Sequence, residues 1–360
     1  MRGAALWLGL FCVACSPAPA ALHGYPDGAV DQDAGWQGLY TPGANYVAGW
    51  VSAPGDIYAA TRPMNAVEIV SSHDGGKTWG YAYVHDDAAF RSPLRSLTAV
   101  GASNVYAAGS EYDDAGVEGA PFFAVSTDGG QTFGITHPAF PGVVTAITAD
   151  ASGDLLAVGS AGDGGFFVRS ADGAATWTRA AVPGTSALNG IWVAGDGTIY
   201  ACGAVDASAP DAGARPVPGV VVRSMDGGAT WAAVAQAPVS LTALSGTTGG
   251  RIVAVGSGYT EIELSAGASD WVVRAGDPST VSDTAGLLAS VWVADDTSAP
   301  YIAVNAGYLI RAVSTDPGKI PSVSFENLAS RGEPGAISVA GTGPGDVWAF
   351  GTGIFHKTSP

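Results

Sequence analysis

One short pattern recurs along almost the whole of this 360-residue chain. Each copy is an apolar run around a central alanine, and the seven alanines are Ala59, Ala107, Ala157, Ala201, Ala254, Ala303 and Ala349. Successive alanines are 48, 50, 44, 53, 49 and 46 residues apart, and in six copies the second residue after the alanine is Gly or Asn. Repeats of this length are single supersecondary units that bury their apolar faces by stacking on neighbours. The pattern therefore predicts an array of stacked, equivalent units.

The residues around each alanine indicate antiparallel strands. A second apolar segment precedes the alanine segment, as at 97–100 and 144–147, and a turn rich in Gly, Asp or Asn separates the two. Those residues tolerate the positive φ of tight hairpin turns. The preceding segment carries small residues that suit a crowded position near a central axis, namely Ala99, Ala146, Gly190, Ala243, Ser290 and Ser338. With two further strands in each repeat, the pattern predicts an all-β, seven-bladed β-propeller of four-stranded antiparallel blades over residues 36–360.

A sharper motif follows the third predicted strand of several repeats. Residues 72–79 read Ser-His-Asp-Gly-Gly-Lys-Thr-Trp, and three further copies keep the Ser, Asp, Thr and aromatic positions. The Asp and the final aromatic residue of the four copies are Asp74 and Trp79, Asp128 and Phe133, Asp172 and Trp177, and Asp226 and Trp231. Such an Asp accepts backbone N–H bonds across its own turn, Gly supplies positive φ, and the aromatic ring packs beneath the turn. These residues are therefore predicted to be structural.

The motif resembles the Asp-box, or BNR, repeat of sialidases, sortilin-type receptors, xyloglucanases and photosystem II assembly factors. Weaker copies lie near 265–271 and 314–318. The resemblance implies a propeller and, from the assembly factors, a precedent for a non-catalytic scaffold. From the sialidases it implies an alternative, a glycoside hydrolase that holds a substrate carboxylate with three arginines and uses Tyr, Glu and Asp in catalysis. The Phe-Arg-Ser-Pro segment at 90–93 is similar to an element of that family, but it follows the first motif instead of preceding it, and no Tyr–Glu pair can be assigned.

The two ends of the repeat region complement each other. The seventh repeat contains three predicted strands, at 336–340, 346–351 and 353–359. A strand-like segment, Trp-Gln-Gly-Leu-Tyr-Thr at 36–41, precedes the first complete repeat. We therefore predict that 36–41 pairs with 353–359 as the outer strand of the seventh blade and closes the ring.

The first residues read as an export signal. A basic start, an apolar segment at 4–13 and the pair Ala14-Cys15 resemble the signal of bacterial lipoproteins, in which the cysteine after the cleavage site is lipidated. The resemblance implies a signal peptide at 1–14 and a lipid on Cys15.

The residues that follow bear on localisation. Residues 15–35, which begin with the lipidated cysteine, are rich in Pro, Ala, Gly and Asp and read as a flexible tether. Ser16 follows the cysteine where retention in the inner membrane uses Asp in that family, so an outer-membrane lipoprotein of the cell envelope is expected. An ordinary secretory peptide cut near residue 20 or 21 is the alternative.

Charge and composition exclude several classes of partner and site. Thirty-two acidic residues against 15 basic ones give a net charge of −17, whereas a protein that binds nucleic acid presents a basic face. An anionic membrane surface repels the same charge, so membrane contact is expected only through the lipid anchor. Three cysteines and five scattered histidines give neither a disulfide framework nor a metal-ligand spacing. We expect a monomer with no cofactor and no metal.

Polar residues concentrate in loops of one predicted face, which we name the top face. It carries the connections between second and third strands and those between blades. Repeats two and four have extra residues there, at 111–120 and 205–219, and insertions on one face of a repeat array are typical of a binding face. The candidate binding residues are Arg62, Asp86, Asp87, Arg91, Arg95, Glu111, Tyr112, Asp113, Asp114 and Arg331.

The arginines in this set suit recognition of carboxylate or phosphate groups, because a guanidinium donates paired hydrogen bonds. Alternatively, these residues are solvated charges of surface loops. We expect a non-catalytic binding or assembly scaffold for a protein or a cell-surface glycan. No catalytic residue is assigned, and the glycoside hydrolase is the alternative.

Overall fold

The computed structural model describes residues 30–31, 35–40, 45–62, 66–86, 93–112, 117–206, 217–274, 288–304, 308–312, 323–328 and 336–358. These residues form seven separate β-sheets and one 3₁₀ turn at Ser257–Tyr259. Six sheets have four strands, and the sheet of the sixth repeat has a fifth strand at its outer edge. The prediction of a seven-bladed β-propeller with four antiparallel strands in each blade is confirmed.

Within a blade the strands follow one another from the axis outward. The inner strands of blades one to seven are β3 (Asn45–Ala53), β7 (Leu94–Val100), β11 (Val143–Ala149), β15 (Thr185–Val193), β19 (Leu241–Gly246), β23 (Leu288–Trp292) and β27 (Ala336–Gly343). The second strands, which contain the central alanines, are β4 (Asp56–Arg62), β8 (Asn104–Tyr112), β12 (Leu155–Ala161), β16 (Ile199–Val205), β20 (Ile252–Gly256), β24 (Tyr301–Val304) and β28 (Asp346–Gly351).

The two remaining strands complete each blade toward the rim. The third strands are β5 (Ala66–Ser72), β9 (Glu118–Ser126), β13 (Gly164–Ser170), β17 (Gly219–Ser224), β21 (Glu261–Leu264), β25 (Tyr308–Ala312) and β29 (Ile354–Lys357). The outer strands are β6 (Gly80–Asp86), β10 (Gly134–Thr136), β14 (Thr178–Ala181), β18 (Ala232–Ala237), β22 (Val272–Arg274), β26 (Val323–Asn327) and, for blade seven, β2 (Trp36–Tyr40).

The outer strand of blade seven comes from the start of the propeller, as predicted. β2 pairs antiparallel with β29 and places Trp36 opposite Lys357 and Gly38 opposite Phe355. Trp36 also packs edge-on against Tyr301 of blade six, with ring centroids 6.3 Å apart. The first and last strands of the ring are therefore joined by backbone hydrogen bonds, and Trp36 adds an aromatic contact with blade six.

The core lies between neighbouring blades. Trp177, at the end of the motif in blade three, stacks on Phe123 of blade two with centroids 4.1 Å apart. Trp231 of blade four packs edge-on against Phe167 of blade three, with centroids 5.3 Å apart. The motif aromatic thus fills the space between its own blade and the preceding one, which was predicted from the sequence.

A close backbone approach explains the glycine two residues after the central alanine. A Cβ on Gly159 would lie 1.9 Å from the carbonyl oxygen of Val143, and a Cβ on Gly203 would lie 2.0 Å from that of Ala187. Each carbonyl belongs to the inner strand of its blade, so only glycine lets the first two strands of these blades approach so closely.

The register of blade two differs from the sequence alignment. Ser96 pairs with Ala108 as Ala146 pairs with Val158, so Ser96 and not Ala99 holds the small-residue position in blade two. The prediction for Ala99 was wrong because 94–97 and 97–100 show the same apolar–polar–small–apolar pattern. Only the pairing with β8 distinguishes the two.

Two residues of the expected tether belong to the sheet of blade six. Val30 and Asp31 form β1 (Val30–Asp31), which runs parallel to β26 and places Val30 opposite Phe325. For this pair of residues the tether prediction is therefore replaced by a strand at the rim, while 15–29 and 32–34 lie outside the described residues. Across the described ranges, no helix has the length and apolar character needed to cross a bilayer.

Candidate functional site

A ring of β-bulges surrounds the top end of the central channel. Every inner strand has at least one residue that is skipped in the pairing with the second strand, and β3, β15 and β27 each have a second one, Ser52, Ser186 and Thr342. The skipped residues that directly precede the small-residue position of each inner strand are Val47, Arg95, Thr145, Asn189, Thr242, Ala289 and Ile337. A bulge re-aims the side chain of the extra residue and ends regular pairing. The channel inside the seven inner strands has a volume of about 420 Å³.

Polar side chains of this ring tie adjacent blades together. The Thr145 hydroxyl donates to the carbonyl oxygen of Leu188 in the next blade at 2.6 Å. The Asn189 amide nitrogen donates in the same way to Leu241 at 2.7 Å, and the Thr242 hydroxyl donates to Leu288. The ring is therefore held in place by hydrogen bonds that run from blade three through blade six.

The mouth cavity, as we name it, lies at this end of the channel and has a volume of about 420 Å³. Residues from five blades line it, namely Val47, Pro93, Leu94, Arg95, Tyr112, Thr145, Asn189 and Thr242. Its wall combines apolar groups with a guanidinium, a phenol, an amide and two hydroxyls. A concave, partly apolar surface with a few placed polar groups is the usual form of a binding site.

Arg95 is fixed by a neighbour at the edge of the mouth. Its Nε and Nη2 donate to the carboxylate of Glu118, with Nη2 lying 2.7 Å from each carboxylate oxygen. The ion pair between Arg95 and Glu118 uses two of the three guanidinium nitrogens of Arg95. Its third nitrogen, Nη1, is left to donate elsewhere. On the other side, Asn189 donates through its amide nitrogen, which leaves its amide oxygen to accept.

The structure places two of the sequence-predicted binding residues, Arg95 and Tyr112, in the wall of the mouth cavity. Glu111 lies outside that wall, and its carboxylate is 3.1 Å from Nε2 of His137. Arg62 ends β4 and Asp86 ends β6, both at the top face. Five candidate binding residues and the lipidation residue lie outside the described residues: Asp87, Arg91, Asp113, Asp114, Arg331 and Cys15.

Sequence reasoning missed the polar contributions of blades three to five. Thr145, Asn189 and Thr242 stand inside apolar strand patterns, which predict no binding role for them. The available signal was their recurrence as the polar residue directly before the small residue of the inner strand. That signal becomes specific only when the bulge is known, because a regular strand would point these side chains elsewhere.

The motif loops, which we name the Ser-Asp-Thr loops, lie on the opposite, bottom face. There they meet the turns between first and second strands, as where Gly129 N donates to the Ser103 carbonyl at 2.8 Å. In the loop of blade three, Asp172 accepts from the Thr176 amide at 2.8 Å, and its other oxygen accepts from the Thr176 hydroxyl. Ser170 donates to the same carboxylate at 2.8 Å.

These bonds all stabilise the ionised carboxylate. Hydrogen bonds from the threonine, first through its hydroxyl and then through its amide, lower the pKa of Asp172 from 3.8 to about 2. The same bonds lower the pKa of the corresponding carboxyls in the other three loops to about 2, those of Asp74, Asp128 and Asp226. A carboxylate saturated by its own loop is suited to holding the loop together, which agrees with the predicted structural role.

Known structures share this fold. YCF48 bound to a D1 peptide superposes with a TM-score of 0.62 at 16% identity, covering 95% of this chain and 99% of that one. The WD40 repeats of RRP9 give a TM-score of 0.61 at 9% identity, covering 92% and 99%. The GH74 xyloglucanase from Xanthomonas campestris gives 0.59 at 16% identity, covering 89% of this chain and 52% of the enzyme chain.

The sequence matches no family model and no curated protein. This chain also spans only about half the length of the xyloglucanase chain that it resembles. At identities of 9–16%, the resemblance to these structures establishes the propeller fold and nothing finer.

Proposed function

We propose that this protein is a non-catalytic binding scaffold that holds a segment of a partner protein at the mouth cavity of its top face. The observation that carries the proposal is the mouth cavity itself, which five blades build from side chains locked by bulges and inter-blade hydrogen bonds. A site that is ordered before binding loses little conformational freedom when a ligand enters.

The open hydrogen-bonding groups of the mouth match a peptide. Nη1 of Arg95 offers a donor and the amide oxygen of Asn189 offers an acceptor, and a peptide backbone supplies the complementary carbonyl and N–H groups. The apolar wall at Val47 and Leu94 accommodates a side chain. YCF48, whose fold is shared, was solved with a D1 peptide bound, which supports a protein partner over other classes.

Site-specific photo-crosslinking tests the proposal. A photoreactive amino acid replaces Tyr112 at the mouth or, as a control, Met225, which is 73% exposed in a Ser-Asp-Thr loop of the bottom face. We expect a discrete crosslinked protein from cells carrying the photoreactive residue at 112 and none from those carrying it at 225. A crosslinked protein from 225 alone would contradict the proposal.

A pair of variants connects the crosslink to the mouth residues. Arg95→Ala with Asn189→Ala is expected to abolish the product, because both open groups are removed. Arg169→Ala is the matched control, since this arginine is equally ion-paired, to Asp154 at 2.7 Å, but lies on the bottom face. A product that survives the double change would show that the mouth does not bind the partner.

Glycoside hydrolysis remains the second candidate, favoured by the shared fold of the xyloglucanase. It needs a carboxylic acid that stays protonated near neutral pH. On the described part of the top face, Glu118 is held by Arg95 and Asp163 by Arg179 at 2.6 Å. The bond from Arg179 lowers the pKa of Asp163, which is opposite to what a general acid requires. Sustained turnover of fluorogenic sialosides or of xyloglucan would overturn the non-catalytic proposal.

The proposal includes an anchor and a repeat family. The scaffold is attached through a lipid on Cys15 to the outer membrane, and the Ser-Asp-Thr loops are Asp-box repeats. The lipoprotein-type signal and the saturated loop carboxylates support these two statements. Mass spectrometry of the mature N-terminus tests the first, because a diacylglycerol on Cys15 is expected and a cut after residue 20 or 21 would exclude it.

A further inference from the structure

A groove on the bottom face, between the Ser-Asp-Thr loops of blades one and two, has no part in the proposed function. Its volume is about 460 Å³. The residues that matter in its wall are His73, Asp74, Thr78, Tyr81, Gly130 and Gln131. We name it the blade-one groove.

The walls of the blade-one groove are held rigidly. Nδ1 of His73 lies 2.9 Å from a carboxylate oxygen of Asp56, and Nε2 lies 3.1 Å from the carbonyl oxygen of Gly129 in the next blade. The His73 ring therefore bridges the loops of blades one and two. Beneath it, Tyr58 packs edge-on against the His73 ring with centroids 5.8 Å apart.

Glycine allows the loop of blade two to pack closely on blade one beside the groove. Gly130 has φ of +84°, and a Cβ there would lie 3.1 Å from the buried Tyr58 ring. The groove is thus formed before any ligand arrives, which lowers the cost of binding.

The chemistry of the wall is that of a sugar site. The Tyr81 side chain is 53% exposed, and an aromatic ring has a negative face that attracts the polarised C–H groups of a pyranose ring. Gln131 donates through Nε2 to the Asp128 carbonyl at 3.0 Å, which leaves its amide oxygen to accept from a sugar hydroxyl. We propose that the blade-one groove binds a neutral sugar unit of a glycan.

Charge selects a neutral sugar over an acidic one. The carboxylates of Asp74 and Asp56 stand in or beside the groove, and Asp74 stays ionised because its pKa is lowered to about 2. Both ring nitrogens of His73 are engaged by Asp56 and Gly129, and Lys77 of the same loop is not part of the groove wall, so neither offers a hydrogen bond to a sugar carboxylate inside the groove. A sialic acid carboxylate would therefore be repelled, whereas hydroxyl groups are accepted.

Among the four Ser-Asp-Thr loops, an aromatic residue at the Tyr81 position faces an amide at the Gln131 position of the next loop only once. The positions equivalent to Tyr81 in the other three blades hold Ile135, Arg179 and Ala233. The positions equivalent to Gln131 in blades three and four hold Ala175 and Ala229. An aromatic ring opposite an amide is thus specific to the blade-one groove, and the next loop pair offers a matched control.

Saccharide titration of the full chain tests the proposal. Cellobiose and lactose are the neutral probes and sialyllactose is the acidic one, with binding followed by isothermal titration calorimetry and by saturation-transfer NMR. We expect weak one-site binding of a neutral probe. Tyr81→Ala should weaken it about tenfold, since stacking on an aromatic ring accounts for about that factor. Tyr81→Phe should retain it, because the ring remains.

Two further variants test whether the sugar binds in the blade-one groove and nowhere else on the disc. Ile135→Ala, at the equivalent position of the next loop, is expected to leave binding unchanged, and Arg95→Ala with Asn189→Ala should do the same because those residues lie on the top face. If no neutral probe binds, if sialyllactose binds more tightly through its acidic group, or if Tyr81→Ala binds as well as the parent, the proposal is wrong. Melting temperatures of all variants confirm that each is folded.

Discussion

In each Ser-Asp-Thr loop one exposed carboxylate accepts hydrogen bonds from the serine and the threonine of its own loop. These hydrogen bonds reach full strength only when the carboxylate is ionised, because a protonated carboxyl has one acceptor site fewer. The folded loop favours the charged form of the carboxyl more than the unfolded chain does, and this is why its pKa is lowered. Ionisation of the carboxyl therefore stabilises the folded state.

At the residue scale this predicts an acid-sensitive contribution from Asp172. Its pKa falls from 3.8 to about 2 in the folded chain, so the stabilisation is complete above pH 3.8 and is lost as the pH falls toward 2. We expect Asp172→Ala to lower the melting temperature at pH 6 and to flatten the fall in melting temperature between pH 4 and pH 2. Thermal unfolding followed by circular dichroism across that range measures both. An unchanged slope would show that the loop bonds do not stabilise the fold.

Gly203, where the first two strands of blade four approach closely, gives a second prediction at the residue scale. A Cβ on Gly203 would lie 2.0 Å from the Ala187 carbonyl oxygen, so Gly203→Ala must push two strands apart. We expect the free energy of unfolding to fall by about 1–3 kcal/mol, which is typical of overpacking. Gly195→Ala is the control in the same blade, because no atom lies within 4 Å of a Cβ there. Urea unfolding of the two variants makes the comparison, and equal stabilities would contradict the close approach.

At the scale of elements, the interface between blades five and six differs from two other blade interfaces in the residue that it buries. Phe123, Phe167 and Glu261 occupy equivalent positions, each paired with the residue after the central alanine. The two phenylalanines pack on motif aromatics of the next blade, whereas Glu261 is buried with an ionic partner, Arg274, at 2.8 Å. Burial raises the pKa of Glu261, since it disfavours the charged form.

The ion pair belongs to a buried network. Arg274 also contacts Glu263 at 2.9 Å, and Glu263 accepts from Arg251, whose guanidinium donates to the Ser298 carbonyl of blade six. The four charged residues are each no more than 9% exposed. Between blades five and six, a polar network therefore occupies the position that phenylalanine fills between blades two and three and between blades three and four.

At the element scale, removing one partner of this network should destabilise the fold strongly. Arg274→Met leaves Glu261 buried without its cation, and we expect a loss of about 3–5 kcal/mol in the free energy of unfolding. Glu261→Leu combined with Arg274→Met should recover most of that loss, because no buried charge is left uncompensated. Urea unfolding of the parent, the single variant and the double variant forms the test. A double variant as unstable as the single one would show that the pair does not act as a unit.

The limits of sequence-based prediction can be seen in the same elements. The loops around Asp74 and the closing strand at Trp36 were predictable because local residue types alone encode a turn or a strand. Glu261 was not, because Glu-Ile-Glu-Leu alternates like a half-exposed strand and its partners are brought in by folding. Asn189 was not predictable because it lies at a bulge. The bulge shifts the pairing of β15 with β16 by one residue, and the residue types do not reveal it.

For the whole molecule, the closure of the ring by β2 is the contact that joins all blades into one unit. Blade seven without β2 would expose the edge of β29, and the face of Trp36 that packs on Tyr301 would be lost. Each blade depends on two neighbours for its buried surface, so an open ring loses cooperativity from its ends inward.

At this scale we predict that a chain beginning at residue 42 unfolds without a cooperative transition. A chain beginning at residue 35 retains β2 and is the control, since both chains lack β1. Differential scanning calorimetry measures the sharpness of the transition. Identical melting curves for the two chains would show that the ring is stable without its closing strand.

The pairing of Trp36 with Lys357 also has a consequence for biosynthesis. The ribosome makes Lys357 321 residues after Trp36, so the contact cannot form until the strands of all seven blades have been synthesised. A polypeptide whose synthesis stops early would retain unpaired sheet edges, which are recognised by proteases and prone to aggregate. Pairing of β2 with β29 thus occurs only in a chain that contains the complete propeller.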